Sequence, residues 1–179
     1  NAQPLTVMTN FGTVAVAHNG DITNFAELKE KYMKEGWTFL TDSDSELVTK
    51  LLGKYMTMYN DPVKAIRATM GELDGAFSLT ILINDRLFAI RDMYGFRPLC
   101  LGRIDGGYIA VSESAAIDAL RGELIRDIEP GEICEITKDT FKIYPAPAEH
   151  PRAFCMFEWV YFARPDSILD GREVYEVRR

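Results

Sequence analysis

The pattern of hydrophobic and polar positions changes along the chain and divides it into helical and strand-forming parts. Residues Val14 to Asn24 begin as an apolar, strand-like run and then reach a histidine, an asparagine and a glycine. Apolar residues next recur every three or four positions, which is the spacing of an amphipathic helix. This spacing predicts helices over Phe25 to Glu35, from Ser43 onwards and from Pro62 onwards.

The second of these helices begins at a capping-box pattern, S-D-S-E, at residues 43–46. In such a box the Ser43 side chain caps the helix, and the Glu46 side chain reaches back to the Ser43 backbone N–H. The apolar spacing predicts that one face of this helix is buried, formed by Leu47, Leu51, Leu52 and Tyr55.

From Gly75 onwards the chain is rich in β-branched and aromatic residues, interrupted by turn sequences. A hairpin is predicted around Asn84-Asp85. Further strand pairs are predicted at 99–102 with 108–112 and at 127–136 with 141–144, with a short helix at 113–120 and a proline-rich boundary at 145–151. Helices grouped between hairpin-connected strands indicate an α+β fold with mostly antiparallel sheets, rather than a doubly wound fold.

Composition narrows the classes of protein and partner. The 179 residues carry a formal net charge of −7, which argues against nucleic acid or an anionic membrane as a default partner. No apolar run approaches the roughly 18 residues that a membrane-spanning helix needs, so we expect no membrane and a cytoplasmic location. The three cysteines are odd in number and widely spaced, which indicates reduced thiols: Cys100, Cys134 and Cys155.

The candidate chemistry lies at Asn19 and Gly20. An asparagine side chain and the backbone N–H of the following glycine are both hydrogen-bond donors, and glycine has no side chain that would block the approach of a substrate. A strand that carries this pair can direct two donors at one developing oxyanion. The alternative is an ordinary Asn-Gly turn that closes a hairpin, for which this dipeptide is the strongest short signal. On the dipeptide alone the turn is the better interpretation.

Six segments together resemble one family. They occur in the order found in glutamine phosphoribosylpyrophosphate amidotransferases: N-A-Q-P-L (1–5), A-H-N-G-D-I-T-N (17–24), S-D-S-E (43–46), G-F-R-P-L (95–99), E-P-G-E (129–132) and F-E-W-V-Y-F-A-R-P-D-S (157–167). The H-N-G and D-S-E pieces are shared with other class II glutamine amidotransferases, whereas Y-F-A-R-P-D-S is typical of the purine enzymes.

The resemblance implies an N-terminal-nucleophile hydrolase with an αββα sandwich. Residues 1–152 would form the glutaminase domain and residues 153–179 the start of a phosphoribosyltransferase domain. In this family an N-terminal cysteine attacks glutamine, and the released ammonia passes to phosphoribosyl pyrophosphate to give phosphoribosylamine. Position 1 here is Asn1, which has no nucleophilic group, so we expect a segment that is truncated at both ends and inactive by itself.

The resemblance also assigns roles to individual residues. Asn19 and Gly20 are similar to the family's oxyanion hole, and Asp44 to the aspartate that pairs with the α-ammonium of glutamine. Asp44 is also placed to complement the dipole of the following helix, and the two roles are compatible. Cys155 resembles one of four ligands to a [4Fe–4S] cluster, whose other ligands would lie beyond Arg179, although a plain buried thiol explains it equally well.

Several conspicuous residues are interpreted as structural. His18 lies beside the oxyanion corner, but in the family the base is the α-amine of the N-terminal cysteine. Arg91, Asp92 and Arg97 are interpreted as a structural ion-pair network that fixes the loop around Gly95, and not as an anion site. His150 is expected to be exposed, and Cys100 and Cys134 to lie in the core.

Three functions remain open from the sequence. The first is the glutaminase part of an amidophosphoribosyltransferase, an enzyme expected to be a homo-oligomer that binds Mg²⁺. The second is the glutaminase part of glutamate synthase or another class II amidotransferase. The third is a non-catalytic protein that keeps the fold for regulation or assembly.

Overall fold

The computed structural model describes residues 2–148 and 150–179, and it is built around a six-stranded antiparallel sheet. Asn1 lies outside the described residues. The strands of both main sheets, numbered along the chain, are β1 (Leu5–Thr9), β2 (Gly12–Ile22), β3 (Gly75–Ile83), β4 (Arg86–Arg91), β5 (Cys100–Ile104), β6 (Gly107–Val111), β7 (Glu123–Asp127), β8 (Ile133–Ile136) and β9 (Phe141–Tyr144). The larger sheet has the order β1-β2-β3-β4-β8-β9 and the smaller β6-β5-β7.

Three helices cover one face of the larger sheet: α1 (Phe25–Lys34), α2 (Asp44–Tyr59) and α3 (Pro62–Glu72). Their apolar side chains form one core with alternate residues of β2 and β3, among them Leu47, Leu51 and Ile66 against Val16 and Leu79. Burying one such side chain contributes about 1.5–3 kcal/mol. None of the described helices is long and apolar enough to cross a membrane.

Polar contacts fix the ends of these helices. Asp61 caps α3 by accepting hydrogen bonds from the backbone N–H groups of Val63 and Lys64. At the other end of α3, the Glu72 carboxylate accepts hydrogen bonds from Tyr32 of α1 at 2.6 Å and from Tyr55 of α2. One half-buried carboxylate therefore joins the three helices.

The smaller sheet packs on the other face of the larger one. Leu99, Leu101 and Ile128 meet Ala89 and Ile136 in a second core. A short helix, α4 (Ala115–Ala119), lies on the outer side of the smaller sheet, where Ile117 comes so close to Gly102 that an added Cβ would be 2.6 Å from its Cδ1 atom. The layers are therefore helices, sheet, sheet and short helix, which confirms the predicted α+β sandwich.

The C-terminal segment, residues 153–179, forms a π-helical turn over Glu158–Phe162, the short strands β10 (Ile168–Leu169) and β11 (Arg172–Glu173), and helix α5 (Val174–Arg178). It is tied to the larger sheet by Arg91, which donates to both carboxylate oxygens of Asp170 at 2.9 and 3.1 Å. Both side chains are buried. The division into domains at residue 152 stays a prediction.

The predicted capping box at Ser43 and Glu46 is wrong. Ser43 is the residue before α2, but its side chain makes no capping hydrogen bond. The Glu46 carboxylate instead accepts hydrogen bonds from the backbone N–H groups of Leu40 and Thr41 and from the Thr41 hydroxyl. The preceding loop folds over the carboxylate and offers three donors, so Glu46 does not reach Ser43.

Two further predictions need correction. The segment 127–136 does not form one strand, because Pro130 and Gly131 turn the chain and Gly131 has φ +71°. The residues before this turn pair with β5 in the smaller sheet, and those after it pair with β4 in the larger sheet. Tyr55 is only half-buried, whereas its neighbour Met56 is fully buried.

Candidate functional site

Asn19 and Gly20 lie inside β2, opposite Ser78 and Phe77 of β3. The alternative of an Asn-Gly turn is therefore wrong. Gly20 has φ +151°, and a Cβ atom at this position would be 2.0 Å from the Ala76 carbonyl oxygen. Only glycine fits this close approach of two strands, so packing alone explains why position 20 is a glycine.

The Gly20 backbone N–H points to an edge of β2 that β1 does not cover. β1 pairs with β2 only as far as Val16. Beyond that point the His18 N–H donates to the Gln3 side chain, and the Ile22 N–H donates to Asp44 Oδ2 at 3.2 Å. Alternate N–H groups of an antiparallel strand point to the same edge, so the Gly20 N–H lies between these two.

The Asn19 side chain lies between the two sheets. Its Nδ2 donates to Ser112 Oγ at 3.2 Å, and its Oδ1 accepts from an Arg97 Nη atom at 3.1 Å. Asn19 borders a cavity of about 200 Å³ that is also lined by Ser78, Leu99 and Ser112. The structure thus places an amide donor beside a small cavity, next to the edge that carries the Gly20 N–H.

Asp44 lies at the start of α2 and faces the same edge of β2. Besides the Ile22 N–H, it lies close to His18, whose Nδ1 is 3.5 Å from Asp44 Oδ1 and 3.1 Å from Ser45 Oγ. The Asp44 side chain is 22% exposed, so part of its carboxylate is open to a ligand. Its predicted role as the partner of an ammonium group stays a prediction.

His18 packs under this corner, with 2% of its side chain exposed. Burial lowers the pKa of His18, and the nearby Asp44 carboxylate only partly offsets that effect. The imidazole is therefore neutral at pH 7. Its contacts with Asp44 and Ser45 connect β2 to the start of α2. This environment agrees with the structural interpretation of His18.

Arg91 and Asp92 fix the loop around Gly95, but they do so through hydrogen bonds to backbone groups and not through the predicted ion pairs, since Arg91 pairs with Asp170 and Arg97 with Glu158. Arg91 donates to the carbonyl oxygens of Gly95 and Arg97, and Asp92 accepts from the N–H groups of Tyr94 and Gly95. Arg97 does more than predicted, because its guanidinium reaches Asn19 and also donates to Glu158 Oε2 at 2.9 Å. No local pattern could have found these contacts, which join residues 61 and 78 positions apart.

Residues 1–119 of the chain match the family model described as "Glutamine amidotransferase domain". The chain belongs to this glutamine amidotransferase family. The amidotransferase chain is 44% identical over 178 residues to an amidophosphoribosyltransferase of Archaeoglobus fulgidus, covering 99% of this chain and 39% of the relative. It is 38% identical over 200 residues to the Homo sapiens amidophosphoribosyltransferase, covering 99% and 39%.

Solved structures of related proteins have the same fold as this chain. The glutamine phosphoribosylpyrophosphate amidotransferase from B. subtilis superposes with a TM-score of 0.91 at 32% identity, over 98% of this chain and 38% of that chain. A glutamine aminotransferase class-II domain protein from Silicibacter pomeroyi matches at a TM-score of 0.58 and 19% identity, which concerns the fold alone. The sandwich is that of the N-terminal-nucleophile hydrolases. The amidotransferase chain spans about two fifths of the length of the curated relatives it matches.

The three cysteines of this amidotransferase chain differ in burial. Cys100 and Cys134 are buried in β5 and β8, and burial raises the pKa of each thiol to about 12, so both belong to the core as predicted. Cys155 is half-buried before the π-helical turn. His150 is exposed, as expected.

The described residues do not assemble a metal centre. Within 2–148 and 150–179 no group of three or more histidine, cysteine, aspartate or glutamate side chains could hold a metal ion. An iron–sulfur cluster takes four such ligands, usually thiolates, so these residues do not complete a cluster by themselves. Binding of Mg²⁺ stays a prediction, because one or two carboxylates are often enough to hold this ion. A ligand role for Cys155 stays a prediction.

Proposed function

We propose that this chain is the glutaminase part of an amidophosphoribosyltransferase. It hydrolyses the side-chain amide of glutamine, and the ammonia reacts with phosphoribosyl pyrophosphate to give phosphoribosylamine for purine synthesis. The observation that carries the proposal is the β2 corner, where the Asn19 amide and the Gly20 N–H lie side by side in a chain of the glutamine amidotransferase family. The relatives named amidophosphoribosyltransferase support this choice of acceptor.

The corner suits acyl transfer from a carboxamide. When a nucleophile adds to the amide carbon, the carbonyl oxygen becomes an oxyanion, and preorganised N–H donors stabilise it more than they stabilise the substrate. Asn19 Nδ2 carries two N–H groups, of which one donates to Ser112 and the second is available to the oxyanion. The Gly20 N–H supplies the other donor.

The nucleophile in this proposal is the thiolate of a cysteine supplied from outside the sequence, as the family resemblance implies. Its addition forms a C–S bond, and collapse of the tetrahedral intermediate breaks the C–N bond and releases ammonia once the nitrogen is protonated. Water then hydrolyses the thioester. In this reaction the chain stabilises the oxyanion through Asn19 and Gly20.

Asp44 selects glutamine over a simple amide in the same proposal. A carboxylate close to the Gly20 edge favours a ligand whose α-ammonium can form a charge-assisted hydrogen bond. The two residues are linked through β2, because the Ile22 N–H that donates to Asp44 is two positions beyond Gly20.

The test uses the complete natural polypeptide that carries this sequence. Incubation with diazo-oxo-norleucine, a glutamine analogue that alkylates the nucleophile, should give one covalent label per chain, and phosphoribosylamine should form with either glutamine or ammonia. A polypeptide that is neither labelled nor able to hydrolyse glutamine would be the non-catalytic alternative. Labelling and hydrolysis without consumption of phosphoribosyl pyrophosphate would indicate another class II amidotransferase.

A further inference from the structure

Arg97 connects the Asn19 corner to the C-terminal segment. One Nη atom donates to Asn19 Oδ1 at 3.1 Å, and the other donates to Glu158 Oε2 at 2.9 Å. Glu158 is the first residue of the π-helical turn, and the next residue, Trp159, packs against a small core formed by Ala163, Leu169 and Val174. A single side chain therefore touches both the proposed oxyanion donor and a segment that is more than fifty residues away in sequence.

The contact with Arg97 determines which way the Asn19 amide points. A guanidinium has N–H donors and no acceptor, so only the oxygen of the amide can face it. The NH₂ group must then point away from Arg97, towards Ser112 and the cavity between the sheets. Without Arg97, the Ser112 hydroxyl could pair with either end of the amide, because it both donates and accepts.

The Arg97–Glu158 contact lies in a more protected environment than the exposed Arg97–Asn19 contact. The Arg97 side chain is 25% exposed and that of Glu158 is 11% exposed, so their ion pair is largely shielded from water. Arg97 is also the residue whose carbonyl oxygen accepts from Arg91. The positive charge next to Oδ1 polarises the Asn19 amide and makes its N–H groups stronger donors.

We propose that Arg97 is a positioning residue for Asn19, and that Glu158 holds Arg97 in place. The C-terminal segment thereby controls the geometry of the glutaminase site through the sequence of contacts from Glu158 to Arg97 to Asn19. This inference rests on the proposed function, because it assigns the orientation of the Asn19 donor to residues that do not touch glutamine.

The test compares variants of the complete natural polypeptide. Arg97→Met and Glu158→Ala should each lower kcat for glutamine hydrolysis about 10-fold to 100-fold, because a misplaced oxyanion donor loses much of the about 10²- to 10³-fold that one such donor contributes. The KM for glutamine should stay within about twofold, and ammonia-dependent turnover should not change. Arg97→Lys, which keeps a donor-only cation, should recover part of the loss.

A matched control lies in the same segment. Arg164 is exposed and pairs with Asp166 at 2.9 and 3.0 Å, so Arg164→Gln removes one positive charge there without touching Asn19. This variant should hydrolyse glutamine like the wild type. The double variant Arg97→Met, Glu158→Ala should be no slower than Arg97→Met alone, because both changes interrupt the same set of contacts.

Each of the other outcomes decides a defined claim. If the wild type hydrolyses glutamine and Arg97→Met keeps the wild-type kcat, the positioning role is wrong and the proposed function stands. If the losses of the two single variants multiply in the double variant, Glu158 does not act through Arg97. If Arg97→Met also loses ammonia-dependent turnover, Glu158→Ala decides: a fall in the glutamine reaction alone supports the inference, and an equal fall in both reactions overturns it. A wild type that does not hydrolyse glutamine overturns both proposals.

Discussion

Replacing Gly20 by alanine tests the geometry on which the proposed oxyanion site depends. Gly20 has φ +151°, and the added Cβ would lie 2.0 Å from the Ala76 carbonyl oxygen and 2.7 Å from the Phe77 Cα. Both atoms belong to the backbone of β3, which is paired on its other side with β4. A rotamer change cannot relieve the contact, so two central strands would have to separate.

The magnitude follows from two effects. Holding a non-glycine residue at such a φ costs about 1–3 kcal/mol. Forcing an extra carbon into a packed site costs about 1–3 kcal/mol more. Gly20→Ala should therefore lower the free energy of unfolding by about 2–6 kcal/mol, which is a large part of the about 5–15 kcal/mol that stabilises a typical domain.

Urea unfolding of the complete polypeptide measures this effect, with Gly71→Ala as the control. Gly71 lies in α3 with no heavy atom within 4 Å of an added Cβ. Alanine there should stabilise the helix by up to about 1 kcal/mol. An unfolding midpoint for Gly20→Ala at or above that of the wild type would refute the close approach of β2 and β3.

Two further predictions concern Asp44 and His18. Asp44→Asn should weaken glutamine binding by about 1.5–3 kcal/mol, the range for a hydrogen bond to a charged group, while ammonia-dependent turnover is preserved; an equal loss of both reactions would make Asp44 structural only. Burial holds the pKa of His18 below its ordinary value of about 6.5. As the pH falls, His18 is therefore protonated in the unfolded chain before it is protonated in the folded chain. Stability should therefore fall as the pH drops below about 6.5, and His18→Gln should flatten this part of the pH profile; an unchanged profile in unfolding experiments would contradict the assignment.

The local periodicity of apolar residues predicts those helices and hairpins that are formed by residues close together in the sequence. The helices α1, α2 and α3 and the β3–β4 hairpin follow from it, because their apolar spacing is regular over ten or more residues. The short edge strand β1 has no such signal and is not predicted. The partners of Glu46 are also missed, since they depend on how residues 40–41 fold back over α2.

The candidate site also has a part that the sequence predicts and a part that only the assembled fold shows. The residue types at Asn19 and Gly20 indicate an oxyanion corner only when the whole set of family motifs is considered, because the dipeptide alone favours a turn. Their position within β2 depends on the pairing with β3, which lies more than fifty residues away along the chain. The contact between Arg97 and Asn19 requires both sheets to be assembled, so the sequence carries no local sign of it.

The rate of glutamine hydrolysis by Asn19→Asp tests the central claim most directly. Aspartate has the shape of asparagine and keeps an oxygen that can accept from Arg97, but it replaces the N–H donors by an acceptor. The account predicts a fall in kcat of about 10²- to 10³-fold in the complete polypeptide. The matched control Asn10→Asp, at an exposed asparagine that donates to Asn60 in the turn between β1 and β2, should hydrolyse glutamine at the wild-type rate. Hydrolysis by Asn19→Asp at the wild-type rate would show that Asn19 does not stabilise the oxyanion and would contradict the account.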